Sequence, residues 1–240
     1  MTFSVLTFDE KEGIFAAAAA TGSLCVGGWV LRGDIESGLV ASQGTSPSSF
    51  WRDDCLRYMY TGQSASEAID LAIKNDSGRD YRQIIALDKF GTTSGFTGIN
   101  SVSHASHITE QNFAVAGNMI AGSHVLEAVK KHVNSDQAPI DQRMLNALKA
   151  GKDAGGDNRG LLSAALLVLS PNHPPLDLRI DYSSDPLSDL QLLLDRSKQS
   201  PYHDWLSEVP IDTDRNRAPE QASLLTNKSV SYTHLRAHET

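Results

Sequence analysis

The chain opens on two short apolar runs, Thr2–Phe8 and Gly13–Ala20, separated by the polar turn Asp9-Glu10-Lys11-Glu12-Gly13. Their alternation is imperfect, as in strands covered on both faces. Further apolar runs at Leu24–Leu31 and Ile35–Ser42, punctuated by Gly27, Gly28 and Gly33, extend the β-structure without a helical crossover. Helical periodicity then takes over. Ser48–Tyr60 puts Phe50, Cys55, Leu56 and Met59 near one face. Ser64–Lys74 starts with a capping box, Ser64 followed by Glu67, and continues with Ala68, Leu71 and Ala72 on its apolar side. Strands are predicted again at Tyr81–Leu87, Thr92–Thr97 and Asn112–Ala116, and helices at Ser123–Val133 and Asp141–Ala150. Two last strands, Leu162–Leu169 and Leu176–Ile180, precede an amphipathic helix at Pro186–Asp195.

Strands and helices are thus grouped rather than strictly alternating, which disfavours a doubly wound parallel sheet. The order fits an α+β fold in which mainly antiparallel sheets are sandwiched between helix pairs. One domain is expected over residues 1–198. Residues 199–228 form an irregular extension carrying Pro201, Pro210 and Pro219. The closing SVSYTHLRAHET, residues 229–240, resembles a translated sequencing adaptor and is set aside from functional argument.

Composition narrows the class. Twenty-nine acids against twenty-one bases leave a net charge of −8, which argues against a general nucleic-acid or anionic-membrane surface. The run GIFAAAAATGSLCVGGWVL is broken by Thr21, Gly22 and Ser23, and reads as a buried strand pair rather than a membrane span. The opening residues lack the basic and apolar regions of a secretory signal. Cys25 and Cys55 make neither a disulfide framework nor a CxxC pair, so reduced thiols in a cytoplasmic protein are expected. There is no GxSxG elbow, HExxH helix or GxGxxG fingerprint, and no cofactor or metal is expected. His104 and His107 are three residues apart without a nearby cysteine or third ligand, which is poor spacing for zinc.

Several segments, taken in order, resemble the bacterial domain-of-unknown-function 1028 family, described as Ntn-hydrolase-like. They are MTFSVLTFD at the start, GQSASEAIDLAIKNDSGRDYRQ at 62–83, FTG at 96–98 and HASH at 104–107. GNMIAG at 117–122, GKDAGGDNRGLLSAALLV from Gly151 and DLRID from Asp177 complete the set. The resemblance implies a layered αββα fold and, by class analogy, a homodimer through the helical layer. It also implies an N-terminal-nucleophile hydrolase of a small amide or peptide, the alternative being a non-catalytic ligand-binding or assembly protein.

On that resemblance Thr2 is the candidate nucleophile. Once Met1 is removed, its α-amine has a pKa of about 7.7–8.0 and can take the hydroxyl proton. The competing reading is an ordinary β-branched residue beginning a strand. Gly117 and Asn118, at a strand-to-helix turn, are candidates for the oxyanion site or for a simple turn or cap. Asp157 and Arg159 could orient substrate or bridge one another. Gln43, from the SQG stretch, and His107, which matches the family's histidine, are candidate pocket residues. Arg32 would act only as a fixed charge, since arginine holds its proton too firmly to shuttle it. The acidic partner that proteasome-like members carry near position 18 is absent, because residues 16–20 are all Ala.

Overall fold

A computed structural model describes residues 2–102, 104–156 and 160–219. The chain begins with β1 (Thr2–Asp9), β2 (Ile14–Thr21), a one-turn α1 (Val26–Trp29), β3 (Leu31–Asp34) and β4 (Gly38–Gly44). The helix pair α2 (Ser49–Tyr60) and α3 (Ala65–Ile73) follows, then β5 (Arg82–Asp88), β6 (Thr93–Thr97), β7 (Ser106–Glu110) and β8 (Phe113–Asn118). A second helix pair, α4 (Ser123–Ser135) and α5 (Ile140–Asp153), leads to β9 (Ser163–Ser170) and β10 (His173–Ile180). The described chain ends with α6 (Pro186–Ser197) and the short α7 (Tyr202–Trp205).

The strands form a six-stranded sheet, order β10-β9-β2-β1-β8-β7, and a four-stranded sheet, order β3-β4-β5-β6. Every pairing is antiparallel. Three apolar layers show how they stack. Phe3, Val5 and Leu166 of the large sheet pack with Val125, Val129, Leu145 and Leu148 of α4 and α5. Leu6, Ala17, Ala19 and Leu167 face Leu39, Ala41, Ile85 and Leu87 of the small sheet. Val40, Ile84 and Ala86, on the far side of the small sheet, pack under Trp51, Cys55, Met59 and Ile69 of α2 and α3. The result is the expected helix–sheet–sheet–helix sandwich, and strands buried on both faces explain the weak alternation seen in their sequences.

Small residues set the spacing of these layers. Strand β2 is alanine from Ala16 to Ala20, all completely buried. Above it α5 comes so close that a Cβ on Gly151 would lie 2.8 Å from the Phe3 ring. Gly38 turns the chain into β4 at φ +115, where a Cβ would strike the Leu87 carbonyl at 2.1 Å. The capping box predicted at Ser64 is present, with Glu67 Oε2 accepting from the Ser64 backbone N–H.

Several elements differ from expectation. Leu24–Leu31 is not a strand: Cys25 takes φ 61 and the chain makes the single turn of α1. A Cβ on Gly27 would lie 2.8 Å from the Arg179 side chain and 2.9 Å from Ala165, so only glycine lets this turn lie on β9 and β10. The run read as a buried strand pair is thus one strand and one helical turn. Among the described residues no helix is long and apolar enough to cross a membrane. Strand β7 was missed because it is a partly exposed edge strand with a polar sequence. The buried stripe of α2 is Trp51, Cys55 and Met59 at i, i+4 and i+8, leaving Phe50 77% exposed. Leu71 is likewise on the exposed side of α3, and Ile69 is buried in its place. Residues 229–240 lie outside the described residues.

Enlarging the alanine strand tests the packing. Ala18→Leu is expected to destabilise the chain by about 1–3 kcal/mol, because Leu cannot fit under α5 without moving it. A fall in the urea midpoint with an unchanged slope would register the loss.

Candidate functional site

The β1–β2 hairpin runs in a register that brings Thr2 opposite Thr21, and β8 brings Asn118 to the other side of Thr2. Thr21 in turn faces Ser163 on β9. A polar row, Ser163–Thr21–Thr2–Asn118, therefore crosses the large sheet at one end of the sandwich. In the small sheet Gln43 pairs with Gln83, and Gln83 with Thr97. Thr2 lies on the same face as Leu6, and Gln43 and Gln83 on the same face as Ala41 and Ile85, so the two rows look at each other across the inter-sheet space.

Thr2 is the partly exposed member of its row, whereas Thr21, Asn118, Gln43, Gln83 and Ser4 are all buried. The Thr2 hydroxyl lies 2.9 Å from the Thr21 hydroxyl. Gln43 Nε2 donates to the Thr2 carbonyl at 3.2 Å and to Gln83 Oε1 at 2.7 Å, while Gln43 Oε1 accepts from Ser4 Oγ at 2.8 Å. The two hydrogens of Gln83 Nε2 are shared among three acceptors, Thr97 Oγ1, the Ser106 carbonyl and the Gly117 carbonyl. The Thr97 hydroxyl meets His107 Nδ1 at 2.8 Å. In the gap between two apolar sheets such groups persist only because each is bonded.

Gln43 therefore sits behind Thr2, with both ends of its amide engaged inside the protein. Asn118 is next to Thr2, and its Nδ2 makes a long 3.4 Å bond to Gln83 Oε1. Gly117 pairs with Phe3 and belongs to the helix-facing side of β8. Arg32 pairs with Val40, a residue of the α2–α3 layer, and its Nε lies 3.9 Å from Asp53 of α2. The structure thus turns Arg32 away from Thr2. Burial and the nearby Arg52 lower its proton affinity. Asp157 and Arg159 lie outside the described residues.

Four residues of this cluster escaped sequence reasoning: Ser4, Thr21, Gln83 and Thr97. Thr21 was within reach, because a hairpin that turns between Asp9 and Ile14 and keeps its register must bring Thr2 opposite Thr21. The other three depend on which strands pair across the sandwich. His107 sits at the edge of the gap, where burial pushes its imidazole below the usual range. It lines an open hollow of about 780 Å³ with Thr97, Gly98, Ser101, His104, Ser123 and His124, apart from Thr2. Among the described residues no group of three or more His, Cys, Asp or Glu is arranged to hold a metal ion. Cys55, in the α2 core, is insulated from chemistry, since burial pushes its thiol up to about 12.

The model of the family of unknown function DUF1028 matches residues 2–190. A crystal structure of a Silicibacter pomeroyi protein of the same family aligns with 91% of this chain and 99% of that one, at TM-score 0.87 and 40% identity. Eukaryotic HslV from Trypanosoma brucei aligns over 70% of this chain and 99% of that one, at TM-score 0.44 and 13% identity. No curated protein matches.

Two measurements probe the network. Gln83→Leu removes the shared donor and acceptor and strands several buried groups, so a loss of about 3 kcal/mol is expected in chemical denaturation. For His107 the folded pKa lies below the unfolded one. Its contribution to stability is then full above the unfolded value of about 6.5 and is lost as pH falls through the folded value. His107→Asn should therefore show a smaller loss of thermal midpoint than the parent chain between pH 7 and pH 5.

Proposed function

The chain belongs to the DUF1028 family, and from that premise we propose that it is an N-terminal-nucleophile amidohydrolase acting on a small amide-bearing molecule or peptide. The observation that carries this reading is the setting of Thr2. It stands at the first position of a central strand, at the partly exposed end of the inter-sheet space, with its hydroxyl beside that of Thr21.

With Met1 removed, the free α-amine of Thr2 takes the Oγ1 proton as Oγ1 attacks the amide carbonyl. The C–N bond then breaks, the departing amine receives that proton, and an acyl ester remains on Thr2. Water, activated by the same amine, hydrolyses the ester and restores the hydroxyl. Thr21 orients Oγ1 from 2.9 Å, and Gln43 holds the Thr2 carbonyl from behind. The developing oxyanion needs fixed donors. Asn118 Nδ2 is adjacent, and its 3.4 Å bond to Gln83 is long enough for a charged oxygen to displace. Arg32 faces α2 and takes no part in these steps.

Intact mass of the untagged chain, before and after a β-lactone, tests the reading. Loss of one Met and a single adduct on Thr2 are expected. In an amide-library screen, Thr2→Ala should lower turnover on the order of a thousandfold or more, with Thr2→Ser retaining part of it. A chain that keeps Met1 and takes no adduct would instead be the non-catalytic binding or assembly protein.

A further inference from the structure

His107 stands at the end of a hydrogen-bond chain that runs from Gln83 through Thr97. The Gln83 amide nitrogen lies 3.0 Å from the Ser106 carbonyl and 3.1 Å from the Gly117 carbonyl. Carbonyl oxygens only accept, so this atom must be the NH₂ group and the amide cannot be turned over. The same NH₂ donates to Thr97 Oγ1 at 2.8 Å. The Thr97 hydroxyl also lies 2.8 Å from His107 Nδ1, and of the two neutral tautomers the one in which Nδ1 accepts gives the hydroxyl hydrogen a partner. A neutral imidazole whose Nδ1 accepts carries its hydrogen on Nε2.

That Nε2–H has no partner among the described residues, and the ring forms part of the wall of the hollow. The ring is also held in place: a Cβ on Gly95 would come within 2.6 Å of its Cδ2. A proton on Nδ1 would take the second lone pair of the Thr97 oxygen and leave the Thr97 hydrogen without this acceptor. The strands thus hold out a fixed, uncharged donor. Among the described residues, the hollow's lining holds no Lys, Arg, Asp or Glu, while Ser101 and Ser123 add hydroxyls. Such a wall presents donors to an acceptor oxygen such as a carbonyl.

Thr2 pairs with Asn118 and Gly117 with Ser106, so His107 lies two strands across and two residues along from Thr2. At ordinary strand spacing that is roughly 12 Å, about the reach of three to four extended residues. We propose that the hollow is a substrate subsite in which His107 Nε2–H donates to a peptide-type carbonyl, making the substrate a short peptide rather than a lone amide. The proposal rests on the reading of Thr2 as nucleophile for the direction in which the substrate runs.

The full chain with ¹⁵N-labelled histidine, in the Thr2→Ala background, provides the test. Long-range ¹H–¹⁵N spectra at pH 7.5 are expected to show His107 as the neutral Nε2–H form, and Thr97→Val should convert it to a tautomer mixture. Titration with N-acetyl-tetra-alanine amide should shift the His107 Nε2 resonance. His107→Phe should bind that peptide about fivefold more weakly, as expected for one neutral hydrogen bond. Gly95→Ala, which displaces the ring and leaves His107 itself in place, should weaken binding similarly. An Nδ1–H or imidazolium form, equal affinity in parent and His107→Phe, or no binding to either would overturn the proposal. Binding through His107 by a chain that retains Thr2 yet never cleaves the peptide would uphold the subsite and count against the nucleophile.

Discussion

Strand β1 is the constraint on which the architecture rests. It is bonded along both edges, to β2 and β8, and it is covered on both faces. Phe3 and Val5 point into one apolar layer and Leu6 into the other, so no shift by one residue leaves both layers filled. Once that register is set, its neighbours' registers follow, and the first residue of the strand comes to the end of the sandwich between Thr21 and Asn118.

The inter-sheet space changes character along its length. Its middle is lined by alanine and leucine, and its end by Thr2, Thr21, Asn118, Gln43 and Gln83. The change is abrupt because buried amides are tolerated only as a connected set. Gln83 supplies the connection, reaching a side chain of its own sheet and backbone carbonyls of the opposite one. The same residue thus joins the two sheets and aligns the groups behind Thr2, so rigidity and site geometry have one origin.

The helical layers have a different role. Trp51, Cys55 and Met59 on one side, and Val129, Leu145 and Leu148 on the other, close the outer faces of the sheets. The polar edge of α2 engages Arg32 through Asp53 and carries Arg52, whose NH1 donates to the Gly28 and Trp29 carbonyls. The basic residue that class analogy directs toward the nucleophile is here part of the brace between α1, β3 and α2.

By itself the sequence determined most of the element types, the grouping of strands and helix pairs, the capping box at Ser64, the family and Thr2 as a residue to watch. These follow from local periodicity, local hydrogen bonding and ordered motifs. Even Thr21 was implicit in the hairpin length. Tertiary structure alone decided that Leu24–Leu31 becomes a helical turn, because Arg179 and Ala165 crowd it from strands far along the chain. It alone turned Arg32 outward, brought Gln83 under Thr2 and set the Thr97 hydroxyl beside His107. Each of these outcomes depends on pairing between distant strands, and a residue's position in the chain carries no record of which strand will lie beside it.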